Sequence, residues 1–313
     1  MINALQFLNK ETSFKFIEKR AFAYIFSCSL IILSIAFVLM RGLNWGIDFS
    51  GGILIEVKSE EKVNLQNMRE TLNALNLGEI GLQSIDNDEH EVMIRAQMSG
   101  DDEKAQTKAL ESIKTALGEG YEYRRVEIVG PRVGSELVKS GIWAVILSVV
   151  GISAYIWFRF EFPFAIAAML SLVHDVIIIV GAFAITQLDF SLTTIAAILT
   201  VAGYSINDTV VNFDRVRENL KKHKKLPIIE LLNLSVNDML SRTILTSSTT
   251  MLTVLALLIL GGETLMGFSF ALMLGIFFGT FSSVYIAMPI LLMFDLRKAA
   301  APVGPYDRVD NHN

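Results

Sequence analysis

Six apolar runs, at 21–40, 138–158, 163–186, 192–213, 243–261 and 265–294, constrain this chain more than any other feature it has. An α-helix rises about 1.5 Å per residue, so roughly 20 residues cross the ~30 Å of hydrocarbon in a bilayer. Each run reaches that length. Hydrocarbon offers no water to pair with N–H and C=O groups, and a helix satisfies them within one segment, so the runs predict six transmembrane helices. Composition points the same way: the chain is 52% hydrophobic, has a mean hydropathy of +0.48 and holds six prolines in 313 residues. Those values exclude a disordered chain and an ordinary soluble enzyme. The first run is too long for the apolar part of a signal peptide, and no small-residue cleavage site follows before Arg41, so it reads as a retained anchor.

Basic residues set the expected orientation. Lys10, Lys15, Lys19 and Arg20 precede the first run, and Arg215, Arg217, Lys221, Lys222, Lys224 and Lys225 lie between the fourth and fifth. Arg297 and Lys298 follow the sixth, whereas the short links near Asp189 and Glu263 carry neither Lys nor Arg. The positive-inside rule then makes the N-terminus (1–20), the loop 214–240 and the tail 295–313 cytoplasmic, and leaves 41–137 outside. The net charge of −5 comes largely from that outer block, and no basic face suggests nucleic acid. The single cysteine, Cys28, can build neither a disulfide nor a metal site alone.

The outer block reads as a small domain. A strand at Ile53 to Lys58 precedes a helix at Leu65 to Leu77, strands at Ile80 to Ile85 and Glu91 to Gln97 with Asp86 to His90 as their turn, a helix from Asp101 to Leu117 behind Ser99-Gly100, and a strand at Tyr121 to Val129. The order βαββαβ predicts a ferredoxin-like α+β sandwich, a fold that hosts many functions and names no ligand. It contains no nucleophile with a base, no Cys/His metal spacing and no phosphate-cradling loop, so no cofactor is expected. In the cytoplasmic loop, Pro227 begins an amphipathic stretch that reads equally as an interfacial helix or as early turns of the fifth span.

Asp208 stands inside the fourth run, in TTIAAILTVAGYSINDTVVNF from Thr193 to Phe213. An ionised Asp at the centre of a membrane helix costs roughly 2.5 to 3.5 kcal/mol on insertion scales, so it marks an ion or proton pathway by default. Thr194, Val201, Ser205, Asp208, Asn212 and Arg215 fall along one side of that run, and Arg242, Thr246, Thr249 and Thr253 make a second stripe in the fifth. An Asp beside an Arg in an apolar setting has two states of similar energy, one charged and paired, the other neutral with the Arg turned away. This is the physics of a proton relay. The alternative is a static pair joining two helices, although desolvation often cancels the Coulomb gain of such pairs. In the third run His174 and Asp175, with Ser171, either extend a water path to Asp208 or make a fixed hydrogen bond to a neighbouring helix. Gly275, Gly279 and Ser283 in the sixth run repeat every four residues, which reads as close packing or as a sliding surface.

Three segments carry a resemblance to a known family: Gly46-Ile47-Asp48-Phe49-Ser50-Gly51-Gly52, then Gly203-Tyr204-Ser205-Ile206-Asn207-Asp208 continuing to Asp214-Arg215-Val216-Arg217-Glu218-Asn219, and Leu240-Ser241-Arg242-Thr243. The chain, from about residue 15 to 295, closely resembles the SecD/SecF family of bacterial protein-export subunits, within the resistance-nodulation-division superfamily. The resemblance implies a SecD partner, association with the SecYEG channel, a functional link to the ATPase SecA, and proton-driven assistance to late export of unfolded preproteins across the inner membrane. It assigns proton conduction to Asp208 with Arg242 as partner. The residues themselves add Ser205, Asn207, His174 and Asp175 as secondary candidates. Gly46, Asp48, Gly51 and Gly52 form a structural motif, the glycines allowing positive φ and close contact. Two competing readings are a proton-coupled exporter of small molecules or lipids, for which one sandwich of about 90 residues leaves little room, and a passive scaffold for a partner.

Overall fold

The computed structural model describes residues 12–85, 88–97 and 103–299. All six runs are helical. A 3-10 turn, Ile17–Lys19, leads into the first span, Arg20–Arg41. The second is Pro131–Arg159, the third Phe162–Thr186, the fourth Leu192–Lys222 and the fifth Ile228–Leu260. The sixth begins as Gly262–Ser282, passes through a π-helical turn at Ser283–Ala287, and ends in short helical turns, Met288–Ile290 and Leu291–Met293.

Three boundaries differ from the expectation. The second helix starts at Pro131 instead of 138, because proline suits a first helical position whose N–H is unpaired anyway. The fourth continues to Lys222 and the fifth starts at Ile228, so the loop expected at 214–240 shrinks to 223–227. Of the two readings of the stretch after Pro227, the structure takes the early turns of the fifth span. Its polar side is used: Asn237 accepts from the Phe14 amide at 2.9 Å and donates to the Phe14 carbonyl at 2.8 Å. One turn away, Asn233 accepts from the Ile17 amide at 3.0 Å and donates to Glu18 at 2.9 Å. Two asparagines thus fasten the segment before the first span to the fifth helix.

Between the first and second spans lie β1 (Gly52–Ser59), the helix Leu65–Asn73, β2 (Glu79–Ile85), β3 (Asp88–Gln97), the helix Glu103–Leu117 and β4 (Tyr121–Val129). The strands are antiparallel in the order β2-β3-β1-β4, the ferredoxin-like arrangement. Ile53, Ile55 and Val57 of β1 and Val92 and Ile94 of β3 bury one face of the sheet against Met68, Leu72, Ala109 and Ile113 of the helices. The first domain helix is capped by the Asn64 side chain and stops at Asn73, earlier than the expected Leu77, ahead of a left-handed Asn76 with φ of 51°. Of the turn expected at Asp86 to His90, Asp88 to His90 instead begin β3 and 86–87 lie outside the described residues, as do Ser99 to Asp101 and most of both tails.

The third and sixth spans bury 61% of their apolar stretch and the fourth 44%, against 17% for the first and 11% each for the second and fifth. The third, fourth and sixth are therefore central. Small residues bring them together: a Cβ at Gly275 would collide with Val201, and one at Gly279 would lie 3.0 Å from Ser205 Cβ. An apolar cluster around Phe49, Phe183, Ile198 and Val201 closes the end nearest the domain, and one around Phe164, Phe213, Leu231 and Met288 closes the other. A polar layer separates them.

Candidate functional site

Asp208 lies in that layer, on the fourth span. Its Oδ1 accepts a hydrogen bond of 2.7 Å from Thr243 Oγ1 on the fifth span, and its Oδ2 accepts from Ser283 Oγ on the sixth. One carboxylate therefore ties three helices. Ser283 is the first residue of the π-helical turn, a local widening that often occurs at functional sites. Its hydroxyl also faces the Thr280 carbonyl at 3.0 Å. A hydroxyl has one proton to give, so Ser283 chooses between Asp208 and its own helix.

Asp175 lies deeper and is fully buried. Its Oδ1 is 2.9 Å from His174 Nδ1, and its Oδ2 accepts from Ser205 at 2.7 Å and from Ser282 at 2.8 Å. Adjacent serines of the sixth span thus serve the two carboxylates. Ser205 meets Asp175, while Thr209 returns its hydroxyl to the Ser205 carbonyl at 3.1 Å.

Arg242 is placed differently from the expectation. Among the described residues Asp208 has no ion-pair partner, and Arg242 is exposed while its neighbour Thr243 is buried and holds Asp208. One residue on a helix turns the side chain by about 100°. Asn207 is likewise exposed, on the side of the fourth span away from Ser205. Ser282, Ser283 and Thr243 had not been singled out as donors. The four-residue repeat that contains Ser283 reads as close packing or a sliding surface, and nothing in it marks a donor.

The long motif beyond Asp208 fastens the far end of the bundle. Asp214 meets Arg159 at 3.7 Å, Arg217 meets Glu161 at 3.4 Å, and Arg215 pairs with Asp238 at 2.7 Å. Asn219 donates to Ser235 at 3.0 Å and to Asp238 at 3.2 Å. These contacts fix the second, fourth and fifth helices to one another.

The glycine-rich motif does the corresponding work beneath the domain. Trp45 and Phe190 form a parallel bridge, in which the Gly46 amide donates to the Phe190 carbonyl at 2.9 Å. Asp48 Oδ2 accepts from the Leu192 amide at 2.9 Å and so caps the fourth span. A single helical turn, Ile47–Ser50, ends in Gly51 and Gly52, whose φ angles of 72° and 127° favour glycine. Gly134 at the start of the second span lies against this turn, where a Cβ would stand 2.7 Å from the Phe49 carbonyl oxygen. Arg95 of β3 forms an ion pair with Asp189, which also accepts from Asn44 at 2.8 Å. The open face of the sheet thus rests on the link between the third and fourth spans. A cleft of about 300 Å³ remains there, lined in part by Asp48, Met93, Arg125, Glu127 and Thr193.

Residues 109–297 match the family described as Protein export membrane protein SecD/SecF, C-terminal, and residues 36–63 match the SecD/SecF GG motif. The chain belongs to the SecD/SecF family. It is 44% identical over 301 residues to the protein translocase subunit SecF of Rickettsia akari (strain Hartford), covering 95% of this chain and 97% of that one. The same figure of 44% holds for the namesake subunit of Rickettsia bellii (strain OSU 85-389), with 95% and 98% covered. Among solved structures it is similar to SecDF, a translocon-associated membrane protein from Thermus thermophilus, with a TM-score of 0.80 at 35% identity, covering 90% of this chain and 39% of that one. A second SecDF structure, the super-membrane-facing form, matches with a TM-score of 0.68 at 34% identity, covering 93% and 40%.

The SecD/SecF motifs therefore surround two places: the polar layer at Asp208 and the seat of the domain at Asp48. Chemically, the layer offers proton-accepting oxygens and hydroxyl donors. Among the described residues no group of His, Cys, Asp and Glu is arranged to hold a metal ion.

Proposed function

We propose that this chain is a proton-driven subunit of a bacterial preprotein export machinery, working in the inner membrane with a SecD partner and the SecYEG channel downstream of SecA. The carrying observation is Asp208, a carboxylate within the spans whose only described partners are hydroxyls on two other helices. Ionised, it draws the Ser283 proton to itself. Neutral, it donates to Ser283 Oγ, and Ser283 turns its proton to the Thr280 carbonyl. With Arg242 turned away, hydroxyls alone meet the carboxylate, and the charged, paired member would bring the guanidinium across.

The energy suffices. One charge crossing 100 mV is worth about 2.3 kcal/mol and each pH unit adds about 1.4 kcal/mol, together enough to shift a two-state equilibrium by nearly three orders of magnitude. The two SecDF forms match this chain at nearly equal identity yet with TM-scores of 0.80 and 0.68, which supports a family whose parts change arrangement. With 41–137 outside, such a change acts on polypeptide emerging from the channel.

The test is Asp208→Asn, nearly isosteric but unable to take up a proton. Vesicles carrying the variant with its partners are expected to keep inserted protein and to lose the gradient-dependent part of reporter export. Wild-type export under an imposed gradient would refute the relay and favour the scaffold.

A further inference from the structure

We propose that His174 and Asp175 form a second proton-binding site, coupled to Asp208 through the adjacent hydroxyls of Ser282 and Ser283. The inference rests on Asp208 as proton carrier and adds a site to it. Asp175 is sealed from solvent, so its charge must be met by neighbours, and the three that meet it are His174, Ser205 and Ser282. His174 is 4% exposed, and its other ring nitrogen, Nε2, is buried with no hydrogen-bond partner. A buried polar nitrogen left unpaired is costly.

Among the other buried hydroxyls in that condition are Ser171 Oγ and Ser27 Oγ. Ser171 is one turn from His174 on the third span. Ser27 is on the first, which runs parallel to the third, and Gly181 meets Ser34 between them. Counting back equally along both helices from that contact brings Ser27 level with His174. Three unpaired polar atoms within about one helical turn of depth make a place suited to an internal water, which needs two to four such partners. That water would deliver a proton to His174 Nε2 and recover it on release. The Nδ1 proton stays on the ring, donated to Asp175 Oδ1, and the pair passes between net charges of −1 and 0.

Coupling follows from the sixth span. Ser282 has the same choice as Ser283: its hydroxyl faces Asp175 at 2.8 Å and the Gly279 carbonyl at 3.2 Å. The two serines are consecutive, at the entry to the π-helical turn, so rotating one donor changes the backbone from which the other works. The carboxylates they serve also sense each other's charge across a poorly screened interior. Other titratable side chains on the packed helices include Tyr24 and Cys28 on the first span, Tyr204 on the fourth and Tyr285 on the sixth, with the charged residues of the first, fourth and fifth helices gathered toward their ends. Tyr204 donates to Ser247 at 3.4 Å, Tyr285 stacks on Phe281, and Arg242 of the fifth span is exposed.

The experiment uses the full chain with its SecD partner in lipid vesicles and follows histidine ¹⁵N signals by solid-state NMR against pH. With four histidines in the chain, His174→Gln identifies the signal by subtraction. The His174 signal is expected to report gain and loss of a proton on that ring. Its midpoint should be displaced by at least about half a pH unit in Asp208→Asn. Ser282→Ala should displace the midpoint as well, and Ser282→Thr, which keeps the hydroxyl, should restore it. A His174 signal that does not titrate, or one whose midpoint is the same in wild type and Asp208→Asn, overturns the proposal. If gradient-driven export survives Asp208→Asn, the relay reading fails instead, whatever His174 does.

Discussion

At Ser283 one proton has two acceptors, the Asp208 carboxylate and the Thr280 carbonyl, so the side chain reports the charge of Asp208 to the backbone of the sixth span. Thr243 steadies the other oxygen. A hydrogen bond to a charged group contributes about 1.5–3 kcal/mol, so Thr243→Val, which keeps the shape and removes the donor, is expected to displace the pH profile of gradient-driven export by about one unit or more. An unchanged profile would remove Thr243 from the relay. Arg242→Ala is expected to lower gradient-driven export while Arg242→Lys retains part of it, since lysine keeps the charge and loses the planar fork. Equal export for Arg242→Ala and wild type would sink the idea that the guanidinium crosses to Asp208. Asp208 itself was legible in the sequence because a carboxylate in an apolar run stands out. Its donors were not: periodicity ranks the faces of one helix but says nothing about how that helix is rotated against its neighbours. For that reason Arg242 was expected where Thr243 stands.

Elements carry this chemistry by their close approach and by one irregularity. The six spans and the βαββαβ order were legible because apolar length and alternating burial are properties of single segments. The π-helical turn at Ser283–Ala287 was not, since Ser-Val-Tyr-Ile-Ala has no composition that sets it apart from ordinary helix. The turn accommodates one residue more than an α-helix, and removing that residue should restore regular geometry. Deleting Val284 is therefore expected to leave a stably inserted helical protein in which the residues beyond the deletion keep their faces while Ser283 loses the widened turn. Circular dichroism and membrane extraction should match wild type while gradient-driven export is lost. Retained export in that variant would show that the turn has no part in coupling.

For the whole molecule, the question is how the domain follows the spans. It is held at its seat by the Trp45–Phe190 bridge, the Asp48 cap and the Arg95–Asp189 ion pair, with Gly51 and Gly52 between seat and sheet. Motion of the domain must loosen the ion pair while the cap holds, which makes the glycine pair the candidate hinge. In a Cys28→Ala background, cysteines at Met93 and Thr193, both on the cleft wall, joined by a bifunctional maleimide, are expected to stop export, and a cleavable linker should restore it on cleavage. Full export with the crosslink formed would rule out a moving domain. The seat was only partly legible, because a glycine-rich stretch announces a tight turn without saying that its Asp caps a helix more than a hundred residues later. The asparagine clasp at the other end carries a consequence in time. Phe14 and Ile17 leave the ribosome early, yet the side chains that receive their amides, Asn237 and Asn233, are encoded 223 and 216 residues later. At roughly 5–20 residues per second, that is an interval of about 10 to 45 s. Throughout it the first anchor sits in the bilayer with its leading segment unclasped, and only synthesis of the fifth helix closes the ring from the last-made half of the chain to the first.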